Sequence, residues 1–211
     1  MIEQLDMLHV REHYDARFEC HQRLSALLRN GQAEAYLDIA LGISDPIGNY
    51  SAAEHALGPQ ILAGTRPELI VQLAKSFLDE TDPRRMVASI YETNIRYLKV
   101  SVGSEMAMML KPDTFWVANV RTVWTHLLLK HGYDLALANE ELKLYRSQEL
   151  TSEMEYRVWK DIYGLMKRSI AEVRAEGNAV ATEQGVEPGP LPFLWFDAIA
   201  NSLYDNLAAK G

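Results

Sequence analysis

Helix start and stop signals recur from one end of this chain to the other, and the apolar residues between them keep a helical period. Ser51-Ala-Ala-Glu54, Thr65-Arg-Pro-Glu68 and Ser152-Glu-Met-Glu155 each read as a capping box, in which a hydroxyl and a carboxylate satisfy backbone donors reciprocally. Asp82-Pro83 is an N-cap residue followed by proline at the first helical position. Gly31, Gly42 and Gly132 stand where a helix end needs a left-handed residue. Val87, Ile90, Tyr91, Asn94 and Leu98 fall at helical spacing, and so do Trp159, Ile162, Met166, Ile170 and Val173. Period-two alternation is confined to Lys99–Val102, too short to build a sheet. The chain is therefore expected to be all-α, a single-domain multi-helix bundle of about eight to ten helices.

The punctuation places these helices. They run from Asp6 to Asn30, Gln32 to Leu41, Ser51 to an interruption at Gly58-Pro59, and Thr65 to Asp79. Next come Asp82 to Val102 ahead of Gly103, Ser104 to Leu110, and a strongly apolar helix capped by Asp113 and stopped by Gly132. The series ends with Asp134 to Arg146, Ser152 to Gly177, and Phe193 to Ala209. GVEPGPLP over 185–192 excludes helix and reads as an ordered loop before a C-terminal docking helix. No composition break divides the chain, so residues 1–211 read as one domain.

Charge narrows the choice of partner. The chain carries 21 Lys+Arg against 29 Asp+Glu, a formal net charge of −8, and its densest basic clusters are the pairs Arg84-Arg85 and Lys167-Arg168. A polyanion needs a basic surface, so nucleic acid is excluded as a partner, and anionic lipid is disfavoured. A basic protein fits instead. No run approaches a membrane span, and the N-terminus lacks the apolar core of a signal peptide. Cys20 is the only cysteine, which rules out an intrachain disulfide and a cysteine-based zinc site and fits a reducing, cytoplasmic setting. A homodimer is the base-rate expectation for a soluble chain.

The string His9-Val-Arg-Glu12-His13 matches the H-x-x-E-H pattern of the inverted zinc peptidases over those five residues. His9 and His13 at i and i+4 can share a metal, with Glu12 as the group that polarises a bound water. His21 lies on the apolar arc of the same helix, where an imidazole can serve as an axial haem ligand, and heme-oxygenase-like folds share the helicity and length. His126, His131 and Asp134 gather at a helix end, but the two histidines stand about 140° apart around the helix axis. Arg121 falls on an apolar stripe with Val117, Trp124 and Leu128, and Asn94 on another. Glu92, Glu105, Glu155 and Asp197 are candidate carboxylate partners for the arginine. Arg121, Asn94 and Trp124 are thus candidate ligand-binding residues for a small anion.

No Gly-x-Ser-x-Gly elbow and no phosphate loop occurs, and no glutamate is followed by His at i+3 as a di-iron bundle requires. The expected role is a non-enzymatic protein-interaction module without a cofactor, for example a toxin-neutralising immunity-type protein. A zinc- or haem-dependent enzyme built on His9, Glu12, His13 or His21 is the first alternative, and a small-anion-binding helical domain the second.

Overall fold

The computed structural model describes residues 1–146 and 152–208. Among them are eleven α-helices: α1 Met7–Arg29, α2 Ala33–Ala40, α3 Tyr50–Ala53, α4 Leu57–Gly64, α5 Pro67–Asp79, α6 Pro83–Glu92, α7 Val100–Leu110, α8 Val120–Lys130, α9 Leu135–Arg146, α10 Ser152–Glu183 and α11 Pro192–Leu207. Short 3-10 turns at Ile2–Gln4 and Pro46–Gly48 complete the set. No strand occurs among the described residues. The all-α, multi-helix class is what the 3.6-residue period requires.

The chain forms two compact units, Met1–Asp15 with Val120–Gly211, and Ala16–Asn119. Helix α1 supplies its first turns to one and the remainder to the other. In the unit of residues 16–119, α7 packs with α3, α5 and α6, and α2 packs with α5. Its sequence, VSVGSEMAMML, has one charged residue, Glu105, and all but one of its residues are buried. A helix with no solvated polar face belongs in the interior. In the other unit α8 plays the same part: Thr122 through Leu128 are all buried, and α9, α10 and α11 pack against it.

Two glycines that read as helix stops lie inside helices. Gly103 is in the first turns of α7, where a Cβ would stand 2.7–2.9 Å from three side-chain carbons of Ile90 on α6. Gly177 is inside α10, which continues to Glu183, and a Cβ there would meet Ile199 Cδ1 of α11 at 2.4 Å. Both are contact glycines that let helices approach closely, so the helix runs through them despite their propensity cost.

The long helix expected from Asp82 is two helices. Asp82 caps α6 as predicted, accepting from the Arg84 N–H at 2.9 Å, but α6 ends at Glu92. Asn94 and Tyr97 then take φ of +49° and +66°, a left-handed geometry that no helix contains. The helix expected from Asp113 begins only at Val120. Residues 115–119 are buried, irregular backbone, and the Ala118 N–H donates to Ser104 Oγ at 3.0 Å. Ser104 is thus an acceptor within α7 and not a helix cap.

The caps differ as well. Asn49, not Ser51, caps α3 through the Ala52 N–H at 3.0 Å, and α5 opens on Arg66 and Pro67 without a side-chain cap. Helix α10 begins at Ser152, as its sequence signal placed it, and the expected helix end at Ala209 lies outside the described residues. The 185–192 loop is held to α1: Arg11 Nη1 donates to the Glu187 carbonyl at 2.9 Å, and Tyr14 Oη accepts from the Leu191 N–H at 3.2 Å. Helix α11 follows directly, buried from Leu194 through Leu203.

Candidate functional site

Chemistry-bearing side chains gather in four places. On α1, His9 Nδ1 stands 3.7 Å from Glu12 Oε2, and both side chains are exposed, at 71% and 80%. His13 is half-buried. Among the described residues no group of three or more His, Cys, Asp or Glu side chains is arranged to hold a metal ion. Further along α1, His21 Nδ1 lies 2.7 Å from the Met109 carbonyl oxygen. A carbonyl only accepts, so this nitrogen carries the proton, and in the neutral ring Nε2 keeps the lone pair. The residue before His21, Cys20, is buried, and burial pushes its thiol up to about 11. Such a thiol is a packing group, not a nucleophile.

The second place joins α8, α9 and α10. His126 is 7% exposed and hydrogen-bonded through Nδ1 to Ser169 Oγ at 2.8 Å. Burial, with help from the Lys130 ammonium, lowers its pKa, against the opposing pull of Glu141. His131 Nε2 lies 2.7 Å from Glu141 Oε2, which also accepts from Lys130. Burial works to raise the Glu141 carboxyl, but the hydrogen bonds from Lys130 and His131 outweigh it and leave the pKa lowered. The His126–Ser169 contact has the composition of a nucleophile and its base. Both residues sit within helices, where the backbone N–H groups that could serve as oxyanion donors are already used. Asp134, grouped with these histidines by sequence, caps α9 through the Leu137 N–H at 3.0 Å.

The third place surrounds Tyr204. Arg121 is ion-paired to Asp205, and its guanidinium lies 5.2 Å over the Tyr204 ring. Arg146 Nη2 donates to Tyr204 Oη at 2.6 Å. Trp124 meets the same ring edge-on, with centroids 5.4 Å apart, and its indole N–H donates to Asn139 Oδ1 at 2.7 Å. Arg121 and Trp124 therefore share one cluster around Tyr204. Asn94 is not on a helical stripe at all: it is an exposed turn residue beyond α6, in the unit of residues 16–119.

In the fourth place only Glu105 carries a sequence signal, as a candidate partner for a different arginine. Arg17 and Glu105 are fully buried and paired at 2.9 Å between Nη2 and Oε1. Glu105 also accepts from the Tyr50 and Ser51 N–H groups, at 3.0 Å each, and from Ser51 Oγ at 2.6 Å. Arg17 donates to the Ile47 carbonyl at 2.6 Å and lies 4.8 Å over the Tyr50 ring. The pair ties the 45–53 segment to α1 and α7. Glu105, one of the carboxylates considered for Arg121, is committed here.

No family model, curated protein or solved structure matches this chain. Its chemistry rests on its own geometry. No helix of the described residues is long and apolar enough to cross a membrane.

Proposed function

We propose that this chain is a non-enzymatic binding protein whose acidic surface takes up a basic protein partner. The observation that carries the reading is where the acid lies. Residues 1–15 and 120–211 hold 17 Asp/Glu against 11 Lys/Arg, a net of −6, whereas residues 16–119 hold 12 against 10, a net of −2. The more acidic unit also carries the most exposed large apolar side chains, Leu8, Leu137, Leu144, Met154 and Leu165, at 49–65%. Each of its four exposed leucines has a carboxylate one helical turn away: Glu12 for Leu8, Glu140 for Leu137 and Leu144, and Asp161 for Leu165. Acid interleaved with apolar surface suits a partner that presents cationic and apolar groups together. The charge steers encounter, and the leucines supply contact area once water leaves. A toxin-neutralising, immunity-type role is one concrete form. The hydrogen bonds of His126 to Ser169, His131 to Glu141 and Trp124 to Asn139 within the chain fit a structural use of these side chains.

The test is affinity capture with the full chain immobilised, at 50 mM and 500 mM salt. The expected result is a stoichiometric basic protein held at low salt and released at high salt. The Glu12→Lys/Asp161→Lys variant then binds more slowly, with association affected more than dissociation. No stoichiometric protein at low salt, or capture indifferent to both salt and charge reversal, overturns the reading.

A second reading, a small-anion site, draws on the two guanidinium groups that meet Tyr204. Phosphate or citrate at millimolar levels would then raise the melting temperature of the wild-type chain, and Arg146→Ala would abolish the shift. Equal shifts in both proteins would remove this reading.

A further inference from the structure

Helices α5 and α6 are joined by residues 80–82, and a cleft of about 350 Å³ lies between the first turns of α5 and the end of α6. Both helices belong to the unit of residues 16–119. The apolar part of the lining is Leu73, which is buried, and Leu69, which is partly exposed. The rest is polar: Gln72 and Ser76 from α5, and Ser89, Glu92 and Thr93 from α6. All three hydroxyls have committed their protons to their own helices. Ser76 donates to the Leu73 carbonyl at 2.7 Å, Ser89 to the Met86 carbonyl at 2.7 Å and Thr93 to the Ile90 carbonyl at 2.8 Å. A hydroxyl used in this way has only lone pairs left for the cleft. The Glu92 carboxylate also only accepts, and among the described residues neither it nor the Gln72 amide has a hydrogen bond or ion pair. Arg85, one turn before Ser89 on α6, acts on the Glu80 carboxylate instead.

We propose that this cleft binds a small organic cation, an alkylammonium whose methylene chain lies on Leu69 and Leu73 and whose head group lies at Glu92. Three hydroxyl oxygens, a carboxylate and an amide oxygen make a lining of acceptors, and an ammonium is a donor on each of its N–H bonds. The charge-assisted hydrogen bond to Glu92 is the strongest contact on offer. An anion meets the opposite conditions. Glu92 repels it, and each serine or threonine must give up its bond to the helix before it can donate. A neutral alcohol gains the leucines without the charge. The unit of residues 16–119 has a net of only −2, so the attraction is local to Glu92 and is not a field that steers a large basic protein. Size agrees with this choice. The cleft stands at the lower end of the roughly 300–1,000 Å³ range of ligand sites, which suits a free amine of a few heavy atoms.

Titration of the full nitrogen-15-labelled chain, followed by amide chemical shifts, tests the site. The probes are n-pentylammonium, 1-pentanol and pentanoate, which share a chain length and differ in head group, with ionic strength held constant by NaCl. The expected result is a set of saturable shifts centred on residues 69–76 and 89–93 with pentylammonium, at a Kd of about 1–10 mM for so small a ligand. Pentanol should bind more weakly and pentanoate not at all. Glu92→Gln is expected to weaken pentylammonium about fivefold, the upper range for an exposed ion pair. Ser76→Leu fills the cleft from an exposed position and should abolish the shifts. Both variants should keep the wild-type melting temperature. No saturable shift by about 50 mM pentylammonium overturns the proposal. So do shifts that map elsewhere, equal binding of pentanol or pentanoate, or an affinity that either substitution leaves intact. The basic-partner reading stands or falls separately, on the capture experiment.

Discussion

Arg17 and Glu105 show what a buried charge does in this molecule. Neither side chain touches solvent, so each is sustained by the other and by the groups around it. Glu105 holds two backbone N–H groups of the 50–51 turn as well as the guanidinium, so removing it strands donors on both sides. Glu105→Ala is expected to cost on the order of 3–5 kcal/mol in urea unfolding, because it leaves a buried cation uncompensated. Glu105→Gln keeps acceptor oxygen at the site and should cost less. Equal losses in the two variants would show that the charge is not what matters. His126 makes a second residue-level prediction. Burial lowers its folded pKa below the usual 6.5, while Lys130, Glu141 and the Ser169 hydroxyl are the polar groups that face it. A histidine lowered on folding binds its proton more readily in the unfolded chain. Its contribution is therefore complete above about pH 6.5 and is lost as pH falls through the lowered folded value. The stability difference between wild type and His126→Gln, measured from pH 7.5 to 5, should shift against the wild type in that window. A pH-independent difference would exclude the histidine as its source.

At the scale of elements, the close helix contacts are the sharpest test of the packing. Gly177→Ala directs a methyl at the δ-carbon of Ile199, the far end of a flexible chain, whereas Gly103→Ala meets three carbons of Ile90, two of them on its less mobile γ positions. The first substitution should cost at most about 1–2 kcal/mol, since overpacking is partly offset by the better helix propensity of alanine. Ile199→Val deletes the clashing carbon and should rescue it in a double-mutant cycle. Gly103→Ala should cost more, and a smaller loss there than at Gly177 would contradict the packing. These glycines also mark where the sequence stops being legible. Gly31, Gly42 and Gly132 do take positive φ at helix ends, because the local chain alone decides that geometry. Gly103 and Gly177 lack a side chain for the sake of residues far along the chain, which no local rule can see. The same division separates Arg121, whose stripe raised the need for a carboxylate without naming Asp205 among the candidates, from Arg17, whose partner is far along the chain. Residues 115–119 keep a helical apolar pattern yet are irregular, since the Ser104 hydroxyl claims a backbone N–H that a helix would use itself. Helix class follows from period and caps, and helix number only approximately. Pairings set by distant side chains do not.

The topology of the whole molecule gives the N-terminal segment a structural task. One unit is assembled from residues 1–15 and 120–211, with all of residues 16–119 placed between them in sequence. The first segment must therefore find its partners late in the chain, a contact order that slows closure. It does so by specific means. The Met7 N–H donates to Gln184 Oε1 at 2.9 Å, and Gln184 Nε2 donates to the Leu5 carbonyl at 2.9 Å. Tyr14 then anchors the loop and α11 together: its ring stands edge-on to Trp195 at 5.8 Å, a Cβ on Gly189 would lie 2.5 Å from it, and its hydroxyl accepts from Leu191. Tyr14→Phe removes only the hydrogen bond and should cost about 1 kcal/mol. Tyr14→Ala removes the ring that seats the loop and should cost about 3–5 kcal/mol. Limited proteolysis read by mass spectrometry distinguishes a general loosening from a local one. If Tyr14 is the anchor, Tyr14→Ala is cut first within 185–192, while Tyr14→Phe keeps the wild-type pattern. First cleavage of Tyr14→Ala within 16–119 would mean that the ring's main role lies elsewhere, and that the two ends of the chain are held together by the remaining contacts of α1 and α10.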